Sequence, residues 1–515
     1  MADFRLIADR IAGDIAAGRL RPGQQLPPQR WFARRHRIAP STAGRVYGEL
    51  VRRGLVVGEV GRGTFVRAAP AVGQGRALIE TATSAPVNLE LNYPSVEGQS
   101  ELLAASLAPL LRTDVLTDAM RPGAADGTAA ARESAARLLT LPGWRPDPGQ
   151  ILFTGNARQA IAAALASLVR PGGRVGVEEL TYPLVKGIAG RLGVVLVPLA
   201  GDAEGVRPDV IAAVHRAAPL SALYLQPTLH NPTSSTMSER RRRELGRLVE
   251  ELDLPVVEDR IWAFLRPDAA AFAAHAPGLT HVVDGLSKRV APGLTVGFLV
   301  VPQDRVEAVG AAVRSGGWSA GRFAVEAAVR WAADGVVRRL VEAKRADAAR
   351  RQAILTEHLT GHLTGHLTGH RTGRPTGRAV ERRTEDVTGR AVERLAERAA
   401  ERLAGHRSEG AVERLAEGLG GGLVEHLGGG TVRTDPCAYF AWWELPAPWR
   451  ADTFTAAAAA HGIAVTPGTA FAVDPHRTPD AVRLGLASAP KGELARALRT
   501  LADVAAAGPP GSAGG

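Results

Sequence analysis

The chain has 515 residues, of which 45% are hydrophobic and 22% are charged, and its net charge is +11. This length predicts two or three domains, and the composition is that of an ordinary globular protein. The single cysteine, Cys437, excludes an internal disulfide framework and suits a reducing compartment. No stretch of about 18 apolar residues is present, and the first residues lack the apolar core of a signal peptide. We therefore expect a cytoplasmic protein without a membrane span.

Basic charge is concentrated at the N-terminal end of the chain. Residues 1–67 contain 13 Arg and five Asp or Glu, a net charge of +8. Solvated helix faces would account for such charge, but a compact basic module also indicates nucleic acid as a partner. The choice between the two depends on the fold that the same residues predict.

Residues 1–67 predict three helices followed by a hairpin. The elements, in order, are helices over 4–17, 28–36 and about 41–53, and strands over 55–60 and 64–66. Gly61 and Gly63 lie at the turn between the strands, where glycine permits a positive φ. This order predicts a winged helix-turn-helix whose third helix enters the major groove. The fold and the charge together favour DNA as the partner.

This segment resembles the DNA-binding domain of GntR-type bacterial regulators. The matching residues are Gly18-Arg-Leu-Arg-Pro-Gly23, Leu26-Pro27, Arg30, Thr42, Leu50, Gly54-Leu55 and Gly61-Arg-Gly-Thr-Phe-Val66. The DNA contacts that the resemblance implies are Arg30, Ser41, Thr42, Arg45, Arg62 and Gly63. Arg62 would meet the DNA backbone or the minor groove from the wing tip. Ala39-Pro40 stands where the family usually has Ser-Arg, so the operator sequence is not implied.

A linker and a larger domain follow. Residues 68–86 are rich in small and turn-forming residues and are interpreted as a linker. Apolar runs that predict strands lie at 151–153, 174–178, 194–198, 222–226, 255–259, 281–284 and 296–301, and helical patterns lie near 157–169, 208–217 and 238–252. The alternation predicts an α/β domain with a mostly parallel sheet over 87–505. It includes a small α+β part after about residue 432, and 506–515 is interpreted as a disordered tail.

Residues 356–430 interrupt the alternation with repeats. Thr-Gly-His-Leu recurs over 360–370, and Ala-Val-Glu-Arg recurs further on. Four histidines stand at every fourth position from His358 to His370, a spacing that would align metal ligands on a helix. The glycines between them would cost such a helix about 1 kcal/mol each. We therefore interpret the segment as a low-complexity insertion and predict no metal site.

Several loops of the large domain are placed to bind a ligand. Gly155 and Asn156 follow one strand and open a helix, a turn that presents backbone N–H groups to an anion. Asn231 lies in a loop after another strand, where α/β folds bind ligands, and its amide can donate to a phenolate oxygen. Tyr182 follows a third strand and can stack on an aromatic ring. Each residue also has a plain structural alternative: a helix turn, a residue before proline, or a packed tyrosine.

Lys288 and Asp259 give this pattern its chemistry. Lys288 lies between an apolar strand and a Pro-Gly turn, where desolvation lowers the amine pKa and frees it as a nucleophile. Asp259 ends a buried run on a different strand. Pyridoxal phosphate requires such a pair, an imine donor and a partner for its pyridinium nitrogen. Arg483 is a charge inside an apolar strand, which suits either a bound carboxylate or a structural salt bridge.

The order of these features resembles the fold-type I aminotransferases over nearly all of 87–505 apart from the insertion. Joined to the GntR-like head, the chain is similar to the MocR family of regulators. The resemblance implies Lys288 as the Schiff-base lysine and Asp259 as the pyridinium partner. The other implied site residues are Asn231 at the ring oxygen, Tyr182 at the ring face, Gly155 and Asn156 near the phosphate, Ser287 beside the lysine, and Arg483 at an amino-acid carboxylate.

Three positions depart from the aminotransferase pattern. Ile261 and Thr295 stand where a Tyr near the ring oxygen and an Arg near the phosphate are common. Met120 lies in the stretch that corresponds to a Tyr donated to the phosphate site of the partner subunit. Arg289 is the candidate substitute for the missing phosphate arginine. These losses count more against efficient catalysis than against cofactor binding.

The sequence therefore predicts a homodimeric transcription regulator that binds DNA and pyridoxal phosphate. Its aminotransferase-like domain would sense the cofactor or an amino-acid-like effector and shift the arrangement of the DNA-binding heads. A catalytically active aminotransferase of amino acids is the alternative, and a cofactor-free scaffold is a third hypothesis.

Overall fold

The computed structural model describes residues 4–16, 19–20, 24–52, 55–59, 63–66, 85–360, 423–427, 430–475 and 477–509. Arg62, the predicted linker up to residue 84 and most of the repeat segment lie outside these ranges. In the described part of the chain, none of the helices is both long enough and apolar enough to cross a membrane. Within the same ranges, no group of three or more His, Cys, Asp or Glu is arranged to hold a metal ion.

The N-terminal head is a winged helix-turn-helix, as predicted. Its elements are α1 (Phe4–Ala16), β1 (Gln25–Leu26), α2 (Gln29–Arg35), α3 (Pro40–Arg52), β2 (Val56–Glu59) and β3 (Gly63–Val66). The strands pair antiparallel in the order β1-β3-β2. Ile11, Phe32, Val46 and Leu50, one or two from each helix, form the centre of its small core. This packing leaves the opposite side of α3 exposed.

The large domain begins with β4 (Val87–Asn88), α4 (Gln99–Leu107), α5 (Thr113–Ala119) and α6 (Ala129–Leu139). The alternating part then consists of β5 (Ile151–Thr154), α7 (Ala157–Leu168), β6 (Arg174–Glu178), α8 (Pro183–Leu192), β7 (Val195–Leu199), β8 (Gly201–Asp202), β9 (Gly205–Val206), α9 (Pro208–Ala217), β10 (Ala222–Leu225), α10 (Glu239–Glu251), β11 (Val256–Asp259), β12 (Thr280–Gly285), α11 (Leu286–Arg289) and β13 (Gly297–Val300).

Seven of these strands form the main sheet, in the order β5-β13-β12-β11-β10-β6-β7. All neighbours pair parallel except β13, which is antiparallel to both β12 and β5. Every residue of β5, β10, β11 and β13 is buried. Helices cover both faces of such a sheet, which is why these strands are continuous apolar runs without polar alternation. The prediction of a mostly parallel α/β sheet is confirmed.

A smaller α+β part completes the fold. Helices α12 (Val306–Ser315), α13 (Arg322–Ala333) and α14 (Val336–Leu355) lead to β14 (Leu423–Leu427), β15 (Gly430–Thr434), β16 (Phe440–Glu444), α15 (Ala451–Ala460), β17 (Ile463–Ala464), β18 (Thr466–Pro467), β19 (Ala481–Gly485) and α16 (Lys491–Ala507). The second sheet has the order β14-β15-β16-β19-β18. Strand β17 pairs parallel with β4 and so ties the start of the domain to its end.

Short helical turns occupy Ala108–Leu111, Pro148–Gln150, Ala263–Leu265, Phe272–Ala274, Gln303–Arg305, Thr356–Thr360 and Gly468–Ala470. The turn at Thr356–Thr360 continues α14 and buries Leu359. Strand β14 pairs with β15 along its whole length. Ordered structure therefore extends into the predicted 356–430 insertion from both of its ends.

Candidate functional site

The predicted site residues meet in a cleft at the carboxyl ends of the parallel strands. The cleft has a volume of about 130 Å³, and its lining includes seven of the nine predicted residues: Lys288, Asp259, Asn231, Tyr182, Asn156, Ser287 and Arg483. Asp259 ends β11, and Lys288 lies in the short helix that follows β12. Parallel neighbours end at the same edge of a sheet, so residues distant in sequence are brought together there.

Lys288 points into this cleft between two aromatic rings. Its Nζ donates a hydrogen bond to Asn92 O at 2.8 Å. The same atom lies 4.4 Å from the ring centroid of Tyr93 and 5.0 Å from that of Trp262. The aromatic faces attract the ammonium form and shield it from water. The amine is therefore placed for reaction with a carbonyl group bound in the cleft.

Asp259 is a buried carboxyl group held by three donors. Its Oδ2 accepts hydrogen bonds from Tyr224 Oη at 2.6 Å and from Gln226 Nε2 at 2.9 Å, and its Oδ1 accepts one from Ile261 N at 3.0 Å. Burial raises the pKa of Asp259, and the three donors only partly oppose that effect. A cationic ring nitrogen beside the carboxylate would favour its ionised form. Tyr224 and Gln226 were not identified as site residues from the sequence, although both lie in the predicted strand 222–226 and Gln226 is its last residue.

Arg483 is a buried cation whose observed partners are neutral oxygens. Its Nη1 donates to Asn231 Oδ1 at 3.3 Å, and its Nη2 donates to Thr466 Oγ1 at 3.2 Å and to Glu90 O. Its Nε is buried and finds no hydrogen-bond partner among the described residues. Burial lowers the pKa of Arg483 to about 10. A carboxylate bound in the cleft would offset this cost and occupy the orphaned donor.

Of the two residues predicted in the glycine turn, Asn156 lines the cleft and Gly155 does not. The Gly155 N–H instead donates to Trp318 O at 3.1 Å. A Cβ at Gly155 would lie 2.5 Å from Gln159 Oε1, so a larger residue there would require the Gln159 side chain to move. Asn156 lines the cleft and also caps α7, with its Oδ1 accepting from Gln159 N at 3.1 Å. Tyr182 lines the cleft from the residue before α8.

Arg289 does not reach the cleft. Its Nη1 and Nη2 donate to the two carboxylate oxygens of Asp284 at 2.5 and 2.9 Å, and the pair is buried. The structure therefore does not place it where it could replace the missing phosphate arginine. Arg158, in the first turn of α7, does line the cleft. Its place three residues after Gly155, at the positive end of a helix, was the signal that could have identified it.

The departures from the aminotransferase pattern fall at the same site. Ile261 and Thr295 both line the cleft, where they present an apolar side chain and a hydroxyl in place of a phenol and a guanidinium. Met120 is 78% exposed at the end of α5. The cleft thus keeps Lys288, Asp259 and Arg483 and has fewer donors around them.

The head presents the predicted DNA contacts on its surface. Arg30, Ser41 and Arg45 are exposed, and Thr42 is half-buried. Gly63 opens β3 with φ of 119°, a conformation that favours glycine. Pro40 is the first residue of α3, a position where its fixed φ suits a helix start. This accounts for the loss of the usual Ser-Arg pair without loss of the helix.

Comparison with known proteins agrees with both parts of the chain. Residues 87–370 match the family model "Aminotransferase class I and II", and residues 5–66 match "Bacterial regulatory proteins, gntR family". The uncharacterized HTH-type transcriptional regulator YdeF of Bacillus subtilis is 29% identical over 357 residues, which cover 69% of this chain and 77% of YdeF. The HTH-type pyridoxine biosynthesis transcriptional regulator PdxR of Corynebacterium glutamicum is 24% identical over 364 residues, covering 68% and 78%.

The solved structures that resemble the chain are aminotransferases. One is LysN, an α-aminoadipate aminotransferase from Thermus thermophilus complexed with N-(5′-phosphopyridoxyl)-L-leucine. Its TM-score is 0.61 at 18% identity, and the match covers 84% of this chain and 96% of LysN. An archaeal alanine:glyoxylate aminotransferase has a TM-score of 0.63, also at 18% identity, with 82% and 91% covered. At this level of identity the likeness establishes the fold.

Proposed function

The chain belongs to the aminotransferase class I and II family. We propose that it is a DNA-binding transcription regulator whose aminotransferase-like domain senses an amino-acid-like effector. The observation that carries the proposal is the fusion, in one chain, of a GntR-type head with the Lys288 cleft. This is the domain plan of MocR-type regulators. We propose that residues 1–67 form the DNA-binding head, residues 68–86 the linker and residues 87–505 the sensor domain.

The cofactor of the large domain is pyridoxal 5′-phosphate, and two observations indicate that the cleft fits it. The buried carboxyl of Asp259 has a raised pKa that a cationic ring nitrogen would lower again. Arg158 and the start of α7 provide positive charge for a phosphate. The residues proposed to hold the cofactor are Lys288 at the aldehyde carbon, Asp259 at the ring nitrogen, Asn231 at the ring oxygen, Tyr182 at the ring face, and Asn156, Ser287 and Arg158 near the phosphate.

The cleft residues would have distinct roles once the cofactor is bound. When bound, the cofactor supplies an electron-withdrawing ring that makes bonds of an attached amino compound easier to break. Tyr224 and Gln226 orient Asp259 through its Oδ2. Arg483 would select ligands with a carboxylate, because its buried donors need an anion. The same contacts serve recognition of an effector whether or not turnover follows.

We also propose a homodimer that acts in the cytoplasm, where bacterial DNA lies. Leu111, Leu116, Met120 and Phe323 are large apolar residues with 37 to 78% of their surface exposed. They are joined in space, because α5 contacts α13, where Arg322 pairs with Asp118. Such a patch suits burial against a second copy of the chain. Two heads would then meet two half-sites on the DNA.

A DNA titration tests the regulator proposal. Anisotropy of a labelled fragment from upstream of the gene is compared with that of a shuffled fragment, over a salt series. We expect tight, salt-sensitive and sequence-dependent binding, an effect of pyridoxal phosphate on affinity in the wild type, and none in Lys288→Ala. Equal affinity for both fragments would refute the proposal.

A working aminotransferase remains the second candidate, because Lys288, Asp259 and Arg483 share one cleft. Incubation of the protein with amino-acid donors and 2-oxo acids should then give sustained turnover. If cofactor-loaded protein shows no turnover with a broad panel of substrates, the aminotransferase candidate is excluded and sensing is the remaining function.

A further inference from the structure

A second cavity lies next to the cofactor cleft, on the other side of Gln226. Its volume is about 200 Å³, it opens to solvent, and it is lined by the end of β6, the β8–β9 hairpin and the loop after β10. Leu199, Val206 and Met237 form its apolar wall. Of the residues that the structure describes, Gln226 alone lines both this cavity and the cleft. The second cavity is therefore a separate compartment that touches the proposed cofactor site at one residue.

Most ionisable groups that line this cavity have partners of their own. The pairs are Glu179 with Arg477 at 3.7 Å, Asp202 with Arg241 at 2.9 Å, and Arg433 with Glu444 at 2.9 Å. His230 donates from Nε2 to Leu180 O at 2.9 Å and accepts at Nδ1 from the Thr233 hydroxyl at 2.8 Å. Burial lowers the pKa of His230 to about 4, so its ring is neutral.

Glu178 differs from these groups. Its Oε1 accepts a hydrogen bond from Gln226 N at 2.8 Å, whereas its Oε2 is buried and has no hydrogen-bond partner in the described part of the chain. Burial, together with a smaller effect of the nearby Asp259 carboxyl, raises the pKa of Glu178 to about 7. A buried acceptor without a donor is costly, so a ligand that supplies a donor gains affinity here.

We propose that the second cavity binds a small ammonium compound whose N–H group donates to Glu178 Oε2. A charged donor fits because every other cavity group with a full charge is already paired, which leaves one carboxylate to be neutralised. The apolar wall of Leu199, Val206 and Met237 suits the carbon skeleton of the amine. An apolar cavity of about 150 Å³ holds a benzene molecule, so this one has room for roughly six to ten non-hydrogen atoms.

Gln226 links this site to the cofactor cleft. Its backbone N–H binds Glu178, its Nε2 donates to Asp259 Oδ2 at 2.9 Å, and its Oε1 accepts from Asn231 N at 3.2 Å. A cation at Glu178 also offsets the repulsion between the two carboxylates and so favours ionised Asp259. Bound amine should therefore increase the affinity for pyridoxal phosphate, and the effect is reciprocal. The proposed amine site does not depend on DNA binding. The coupling between amine binding and pyridoxal phosphate affinity rests on the proposed role of Asp259.

The test uses the full-length, cofactor-loaded protein at pH 8, where Glu178 is mostly ionised. The probe is N-methylpyrrolidine, a tertiary amine that cannot form an imine with the cofactor, and its uncharged analogue is N-methylpyrrolidone. Ligand-observed NMR titration should show saturable binding of the amine and at least tenfold weaker binding of the analogue. Glu178→Gln should weaken amine binding at least tenfold. The matched control Glu179→Gln, on the same rim but paired with Arg477, should change it less than twofold.

Ala203→Trp provides a second variant, because Ala203 lines the cavity from an exposed turn and the larger side chain would fill the space. It should abolish amine binding even if Glu178→Gln fails to fold. Equal amine affinity in wild type and Glu178→Gln, or equal affinity for amine and analogue, would overturn the site.

Coupling is measured as the dissociation constant of pyridoxal phosphate with and without saturating amine. We expect at least a twofold decrease in wild type and no change in Glu178→Gln. An unchanged constant in wild type with amine bound would overturn the coupling. These measurements contain no DNA, so a failure of the regulator proposal would leave their outcome unaffected.

Discussion

Lys344 is a fully buried lysine in α14, and it holds the backbone that carries Lys288. Its Nζ donates to Lys288 O at 3.0 Å and to Val290 O at 2.6 Å. Burial lowers its pKa from 10.5 to about 7. Replacement by methionine keeps the length and volume of the side chain but removes the amine. The variant therefore isolates the consequence of burying an ionisable group behind the cofactor lysine.

The lowered pKa of Lys344 determines how strongly the free energy of unfolding depends on pH. Above pH 7 the native amine is mostly neutral, while the unfolded chain keeps its proton up to about pH 10.5. The unfolded state then binds more protons, so this group makes the free energy of unfolding increase with pH over that window. The slope approaches about 1.4 kcal/mol per pH unit, but the native amine is still half protonated at pH 7, so the contribution between pH 7 and 9 is about 2 kcal/mol. Below pH 7 both states are protonated and the slope disappears.

Lys344→Met lacks this pH-dependent term. It also leaves Lys288 O without its lysine donor, a loss of about 1–3 kcal/mol, but that loss is the same at every pH. Relative to the variant, the wild type should therefore gain about 2 kcal/mol of stability between pH 7 and 9. Denaturant unfolding of the large domain, followed by tryptophan fluorescence at pH 7, 8 and 9, measures the difference.

Lys186 is the matched control. It is a second largely buried lysine, with Nζ donating to Ala470 O and to Ala472 O at 3.0 Å, and burial lowers its pKa to about 8. Lys186→Met should remove a pH-dependent term that begins one unit higher, worth about 1 kcal/mol between pH 8 and 9. Parallel pH profiles of wild type and Lys344→Met would refute the reasoning, because they would mean that the buried amine keeps an ordinary pKa.

Three further predictions concern ligands. Arg158→Ala should weaken binding of pyridoxal phosphate by about 1.5–3 kcal/mol, the value of a charged hydrogen bond, and leave binding of unphosphorylated pyridoxal unchanged; equal losses for both, in absorbance titrations, would exclude a phosphate contact. Arg483→Met should abolish the spectral response of the loaded protein to amino acids but not to simple amines, and an intact amino-acid response would contradict the proposed carboxylate site. Arg45→Ala should weaken DNA binding for all sequences alike and reduce the slope of log affinity against log salt by about 1; an unchanged slope in anisotropy titrations would remove Arg45 from the phosphate contacts.

The sequence predicted the parallel strands well because burial on both faces makes them uninterrupted apolar runs. Strand β6 occupies 174–178, as predicted, between a Gly-Gly turn and a pair of glutamates. The helices α4 to α6 were not predicted. Helix α6, Ala-Ala-Ala-Arg-Glu-Ser-Ala-Ala-Arg-Leu-Leu, has many alanines and little contrast between its faces. Its position is decided by packing against α13, which no local pattern reveals.

Site residues could be predicted where their position at the end of a strand places them at the ligand-binding edge of the sheet. Lys288 and Asp259 follow strand ends, so the sheet edge fixes where they lie. Arg289 was the candidate substitute for the missing phosphate arginine, but its side chain points away from the cleft, since consecutive residues of a helical turn point in different directions. Its partner, Asp284, lies on the preceding strand. Lys344 and Gln226 act through contacts between elements distant in sequence, which only the folded chain brings together.

The balance of retained and lost groups favours sensing over turnover. Capture of the cofactor needs a nucleophilic amine, a partner for the ring nitrogen and an anion site, and the cleft supplies Lys288, Asp259 and Arg158. Rapid catalysis also needs donors that stabilise charge as it develops during the reaction. Ile261 removes such a donor from the neighbourhood of the ring oxygen, whereas the arginine lost at Thr295 is a phosphate contact that Arg158 can replace. A regulator loses nothing by this, because its response depends on the difference in ligand affinity between two arrangements of the protein and not on a rate.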